Sequence, residues 1–383
     1  MDGLLGDTIY GAARGVVKFF GFWSYEEMKK QRWTCIDILK CLAALAVVEI
    51  HKPLKVQSGA ELLILCRFAV PVFFMITGFF YSETVAHRRE LKQIGKILTI
   101  TIGANLFYLI WKVLLALEDE NNIKDALLAR FEERMPEDFI LWNFSPLVPH
   151  LWYLQALLYV LVIAVLVEYL GLRKLAYLAI PVLLAGNLIK GNYSLLLLGK
   201  DYCHVYYARN FLYCGLPFFW LGCLFGERKE ALEGCLDKKK MTLLLGGILV
   251  FWNMALMEQR WLTKMNALGT EEEYGGTIFL AVCIFLLFIG WQNFYKENVV
   301  TRIMAKIGKD YSMLIYVLHY AVLQALSKCF KGRHTMLARG YRQYGMMFVF
   351  AATVVLVAAY GAAKRKLREN STVKVGNAVL ERV

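Results

Sequence analysis

Residues 36–51 read Ile36-Asp37-Ile38-Leu39-Lys40-Cys41-Leu42-Ala43-Ala44-Leu45-Ala46-Val47-Val48-Glu49-Ile50-His51. The stretch is apolar enough for a membrane span, yet it carries Asp37, Lys40, Glu49 and His51. Ionisable groups at bilayer depth are costly and face a bundle interior or a wet cavity. Lys40 and His51 are eleven residues apart. At about 100° per residue they share one helix face within roughly 20°, about 16 Å apart along the axis. One face thus carries a cation low and an imidazole high, which suits a long ligand with an anionic end and a reactive end. Two plainer readings stay open: Lys40 snorkelling to the interface, and His51 as a hydrogen-bonded histidine at the other interface. Asp37, one turn before Lys40, reads as its counter-ion. Glu49 points away from that face and is a candidate partner for Arg67.

Outward from this helix the whole chain is membrane-like. Of 383 residues, 58% are apolar or aromatic, 20% are charged and only 7 are proline. That excludes a disordered chain, a secreted disulfide scaffold and an ordinary two-domain cytosolic enzyme. The 9 cysteines are scattered with no C-x-x-C pair, so no zinc or redox motif is indicated and no metal is expected. Hydropathy predicts an all-α, polytopic helix bundle of about ten spans, near 34–51, 61–83, 94–117, 150–170, 174–190, 206–226, 241–257, 275–291, 309–328 and 345–363. With both termini in the cytoplasm, Arg88-Arg89, Lys238-Lys239-Lys240 and Lys364-Arg365-Lys366 fall inside and the acidic 118–149 loop falls outside. The net charge of +13 then reflects topology, and nucleic acid is not an expected partner. Residues 1–33 lack a signal-peptide pattern and read as an interfacial amphipathic segment. Residues 34–363 form the membrane domain and 364–383 a basic cytoplasmic tail. Membrane lipids are the surrounding partner, and the apolar helix faces also suit a homo-oligomer.

The second span places Arg67 near the depth of His51, where it is a candidate for stabilising an oxyanion. Pro71 and Gly78 either free backbone groups for a ligand or allow close helix packing. The outer loop 191–210 mixes Tyr193, Tyr202, His204, Tyr206, Tyr207, Arg209 and Asn210. Such a mixture suits a sugar face and, more often, an interfacial aromatic belt. His150 and Trp152 carry the same ambiguity. His319, well inside the ninth span, reads as a structural hydrogen-bonding histidine ahead of a second base.

Three signatures make the chain resemble the membrane-bound acyltransferase-3 family of O-acyltransferases. The first is a basic residue, ten residues, then histidine: Lys40 to His51. The second is the aromatic run Phe73-Phe74-Met75-Ile76-Thr77-Gly78-Phe79 followed by Ser82, with threonine where serine is usual. The third is the basic pair Arg89 and Lys92. Lys40 and Lys92 stand where arginine is common, which keeps the charge and loses bidentate phosphate geometry. Weaker stretches extend the likeness over most of the chain: His150-Leu151-Trp152-Tyr153-Leu154, Leu216-Pro217-Phe218-Phe219-Trp220-Leu221-Gly222, and Tyr311-Ser312 through Tyr316 to His319.

The resemblance implies transfer of an acyl group, often acetyl, from cytoplasmic acyl-coenzyme A to a hydroxyl of surface polysaccharide, glycolipid or a related envelope acceptor. It also implies a bacterial inner-membrane location. Lys40, Arg89 and Lys92 are the expected contacts for the donor's nucleotide and phosphates, and Thr77 and Ser82 for its pantetheine arm. His51 is the expected general base, with an acyl-histidine as the covalent alternative, and Arg67 the expected oxyanion contact. Glu49, His150, Trp152, Tyr206 and Arg209 are the expected acceptor contacts. From other classes, the alternatives are a secondary transporter, whose intramembrane charges form a path, and a non-catalytic membrane subunit.

Overall fold

A computed structural model describes residues 33–118, 135–143, 145, 147–199, 208–269 and 272–380. The expected N-terminal amphipathic segment and Tyr206 lie outside the described residues. Those described are helical, with no strand among them. In chain order the helices are α1 (Thr34–His51), α2 (Gly59–Leu65), α3 (Ala69–Phe79), α4 (Tyr81–Ala86), α5 (Glu90–Glu118), α6 (Met135–Trp142), α7 (Trp152–Tyr169) and α8 (Arg173–Lys190). There follow α9 (Ser194–Leu198), α10 (Leu216–Glu227), α11 (Lys229–Cys235), α12 (Lys238–Lys264), α13 (Gly275–Trp291), α14 (Val299–Asp310), α15 (Ser312–Phe330) and α16 (Met336–Leu380).

Seven described segments are long and apolar enough to cross a membrane: Gly59–Ala86, Glu90–Leu117, Pro149–Tyr169, Lys238–Lys264, Gly275–Phe294, Ser312–Phe330 and Met336–Lys366. The other three expected spans are also helical but fall short of that standard for stated reasons. Helix α1 holds Asp37, Lys40 and Glu49 within 18 residues. Helix α8 is bracketed by Arg173, Lys174 and Lys190. Phe211–Glu227 is apolar but short, opening with a π-helical turn over Phe211–Gly215.

The chain falls into two compact units, one holding Trp33 and Val70–Phe294, the other Thr34–Ala69 and Tyr295–Val383. In the first, α3 and α10 cross through glycines. A Cβ on Gly78 would overlap the Phe219 carbonyl, one on Gly222 the Met75 carbonyl, and one on Gly226 the Phe79 carbonyl. Helix association inside a bilayer lacks a hydrophobic drive and relies on such close backbone approach. Gly78 therefore serves packing, one of its two sequence readings. Around this crossing Phe74, Phe218, Phe219, Trp220 and Phe285 are buried, and Phe74 meets Tyr153 edge-on with centroids 4.8 Å apart.

Polar side chains stitch one end of this unit. The Arg209 guanidinium grips Glu272 with two bonds of 2.6 and 2.5 Å. Asn192 donates to the Glu273 carbonyl at 2.7 Å, and Tyr193 donates to Glu258 at 2.8 Å. Glu258 also accepts from the first amides of α13, Gly275 and Gly276. A carboxylate there satisfies orphan donors and complements the helix dipole. Asn143 accepts from the Phe211 amide at 2.8 Å, fixing entry into the π-helical turn.

In the second unit α1 packs against α14, α15 and α16. Helix α14 presents Thr301, Ala305 and Gly308 as its buried stripe. Only a glycine fits at 308, because a Cβ would overlap the Asp37 carbonyl and press on the Cys41 amide. A capping box between Asn298 and Thr301 starts α14. At the His51 end, Val48, Tyr341, Met346 and Val349 form a buried cluster with Leu45, Leu54 and Phe330 around it. Helix α16 departs from helical geometry at Tyr344, beside the Gln343 carbonyl that accepts the Lys55 amide at 2.9 Å.

Candidate functional site

Helix α1 lays out the charges of the second unit. Near its start Lys40 Nζ lies 3.0 Å from Asp37 Oδ1, so the expected counter-ion is present. Asp37 is buried and Lys40 half-buried. Eleven residues on, His51 ends the helix, half-buried.

Glu49 departs from its expected pairing. Its side chain is 1% exposed, and Oε1 accepts the Leu54 amide at 2.9 Å. Oε2 is buried with no hydrogen bond among the described residues. The carboxylate thus caps the turn after α1, and among the described residues it forms no ion pair with Arg67. Arg67 itself sits half-buried in the 3-10 turn Cys66–Phe68.

The ring of His51 faces a second histidine. Its centroid is 5.2 Å from that of His319 and 5.8 Å from that of Tyr320, the latter edge-on. His319 is fully buried on α15. Its Nδ1 stands 2.7 Å from the Tyr316 carbonyl and 3.1 Å from the Ile315 carbonyl. Two carbonyl oxygens at one ring nitrogen require that nitrogen to carry hydrogen, so in the neutral ring Nε2 holds the lone pair. The structural reading of His319 accounts for Nδ1; it did not anticipate His51 as a neighbour. Beside them Lys52 lies over the Tyr341 ring with Nζ 4.5 Å from its centroid. Burial, and then neighbouring Lys55, lower the Lys52 pKa below the usual lysine value.

The first unit holds the remaining sequence-predicted residues. Thr77 donates to the Phe73 carbonyl of its own helix at 3.0 Å. Ser82 Oγ, by contrast, is buried with no hydrogen bond among the described residues. Arg89 and Lys92 are exposed at the start of α5, just after Arg88 takes a left-handed backbone conformation (φ 51°). His150 is 1% exposed and packs edge-on against Tyr108 at 5.1 Å. Trp152 is half-buried, 6.4 Å from Phe74. Arg209 spends its bidentate fork on Glu272. A surface sugar face at His150 and Arg209 therefore finds one ring buried and one guanidinium already engaged.

Sequence reasoning missed three participants: the proximity of His319 to His51, the capping role of Glu49, and the network of Asn143, Asn192, Glu258 and Glu272. The first two come from chain segments far apart or from a turn, with no local spacing signal. Glu258 offered none either, because it lies on α12, 17 residues before the Gly275 amide that it accepts from.

Neither the curated proteins nor the solved structures returned a match to the chain. The sequence model for the acyltransferase-3 family, described as an acyltransferase domain, matches residues 33–363. That range takes in Lys40, His51, Arg89, Lys92 and His319 together with six of the seven candidate membrane spans and all but the last three residues of the seventh. An all-helical chain with seven segments able to cross a membrane, matched over most of its length, is a multi-pass membrane protein that belongs to the acyltransferase-3 family.

Proposed function

We propose that the protein is an integral-membrane O-acyltransferase of the bacterial inner membrane with both termini in the cytoplasm. It moves an acyl group, acetyl as first choice, from cytoplasmic acyl-coenzyme A to a hydroxyl of a cell-surface carbohydrate or related envelope acceptor. The observation that carries this reading is the His51 imidazole, half-buried at the end of a charged helix and ringed by His319 and Tyr320, within an acyltransferase domain.

His51 acts as general base. It takes the acceptor hydroxyl proton as the oxygen attacks the thioester carbonyl. The C–S bond then breaks, the coenzyme A sulfur leaves and recovers that proton, and the acyl–oxygen bond remains. Arg67 is proposed to stabilise the oxyanion that forms on the carbonyl. Lys40, held upright by Asp37, takes a donor phosphate or pyrophosphate oxygen. Arg89 and Lys92 are proposed as further phosphate contacts, exposed at the start of α5. Ser82 is a better contact for the pantetheine arm than Thr77, because its hydroxyl is buried and unbonded while that of Thr77 is spent on its own helix.

Purified protein in lipid, given acetyl-coenzyme A, a polysaccharide acceptor and a thiol-reactive dye, tests this. Thiol release by the wild-type protein and its loss in folded His51→Ala is the expected result. Equal release from both would remove His51 from the chemistry, whereas substrate flux without any thiol release would favour a transporter.

A further inference from the structure

The end of α1 that carries His51 is basic out of proportion to its carboxylates. Lys52 and Lys55 follow His51 directly, and Lys331, Arg333, Arg339 and Arg342 lie between the end of α15 and the first turns of α16. The two segments are joined into one face. The Lys55 amide donates to the Gln343 carbonyl at 2.9 Å, Lys52 lies over Tyr341, and the Arg342 guanidinium donates to the Arg333 carbonyl at 2.9 Å. Lys55, Lys331, Arg333, Arg339 and Arg342 are all exposed. Among the described residues none of these five has a carboxylate within 4.0 Å. Of the two acids nearest Lys55 in sequence, Glu49 is buried and turned to the Leu54 amide, and Glu61 is half-buried at the start of α2.

Cations gathered without counter-ions repel one another, and the face is at ease only when an anion lies on it. Membrane topology offers no reason for them. Under the acyl-transfer reading, on which this inference rests, the His51 end faces away from the cytoplasm, where Lys and Arg are normally sparse. The donor phosphates belong, on the same reading, to the opposite end of α1 at Lys40.

We infer that the acceptor is an anionic glycan, bearing carboxylate or phosphate groups beside the hydroxyl to be acylated, which docks across Lys55, Arg339 and Arg342 and offers that hydroxyl to His51. Such a face also steers a charged polymer to the reactive end and gives binding a strong dependence on salt.

The test uses the whole protein in nanodiscs of phosphatidylcholine and two fluorescent probes of matched length, polygalacturonate and neutral dextran. Polygalacturonate is expected to bind, to weaken as salt rises, and to lose about tenfold in affinity in Lys55→Gln/Arg339→Gln/Arg342→Gln, since three exposed charge contacts together are worth about one factor of ten or more. His51→Ala is expected to bind as the wild type does. Equal binding of dextran, or no effect of the triple variant, overturns the inference. So does displacement of polygalacturonate by phosphatidylglycerol nanodiscs, which would make the face a lipid-headgroup site. A triple variant that instead raises the KM for acetyl-coenzyme A also overturns it, assigning the face to the donor. Thiol release measured alongside separates the two readings. Release without selective polygalacturonate binding sinks only the acceptor class, and selective binding without release sinks only acyl transfer.

Discussion

Under the acyl-transfer proposal His51 is the residue on which the chemistry turns, with the rings of His319 and Tyr320 beside it. A general base within hydrogen-bond reach contributes on the order of 10² to 10⁴ in rate. His51→Ala is therefore expected to cut thiol release by at least about 10²-fold with the protein still monodisperse in detergent. His319 is a positioning residue in this account. Its Nδ1 is tied to the Tyr316 and Ile315 carbonyls, which fixes the ring at a 39° tilt to that of His51. His319→Phe keeps the ring volume and removes both nitrogens. It is expected to lower kcat about tenfold or more, to leave KM for either substrate nearly unchanged, and to move the pH profile of kcat. A purely structural histidine would lower the unfolding midpoint and leave that profile in place. At the other end of α1, Lys40→Ala removes the proposed phosphate contact. The expected outcome is a rise of about tenfold in the KM for acetyl-coenzyme A with a smaller change in kcat.

At the scale of elements, small residues decide which helices touch. Gly78, Gly222 and Gly226 bring α3 and α10 to backbone contact, and Gly308 does the same for α14 on α1. Enlarging any of them forces backbone rather than side chain to move. Gly222→Leu is expected to cost about 1–3 kcal/mol, the usual range for overpacking, and to lower the thermal unfolding midpoint in detergent. Gly95→Leu on α5 is the control, because a side chain there meets open space, and should leave the midpoint in place. Gly308→Leu is expected to do more than destabilise. It pushes on the Asp37 carbonyl, displacing the Asp37–Lys40 pair, so donor KM should rise along with the loss of stability. Helix α14 falls largely between the expected spans 275–291 and 309–328, and at 12 residues it is too short for a span-length hydropathy reading to register. Its buried stripe is Thr301, Ala305 and Gly308, and hydropathy is blind to a stripe made of small residues.

At the scale of the whole molecule, polar clamps hold chain segments that apolar packing alone would leave free to slide. Arg209 and Glu272 are such a clamp, with side chains only 22% and 11% exposed. Removing one partner of a largely buried pair leaves the other's charge unmatched. Arg209→Ala is expected to lower stability by about 1–3 kcal/mol with acceptor KM unchanged, and Arg209→Ala/Glu272→Ala to recover part of that loss. A rise in acceptor KM without destabilisation would return Arg209 to the substrate. The longest apolar spans were legible from composition and hydropathy, because burying a helix in lipid makes the same demand of every turn. The Lys40-to-His51 face was legible too, since helical geometry alone sets that spacing, as was Asp37 as the neighbour of Lys40. The capping of the 52–54 turn by Glu49 and the grip of Glu272 on Arg209 were not, because each depends on which of several competing partners lies within hydrogen-bonding distance. Nor was the meeting of His51 with His319, or the joining of Lys52 and Lys55 to the cations before and within α16. Those residues stand far apart in the chain, no local rule links them, and only the packing of α1 against α15 and α16 brings them together.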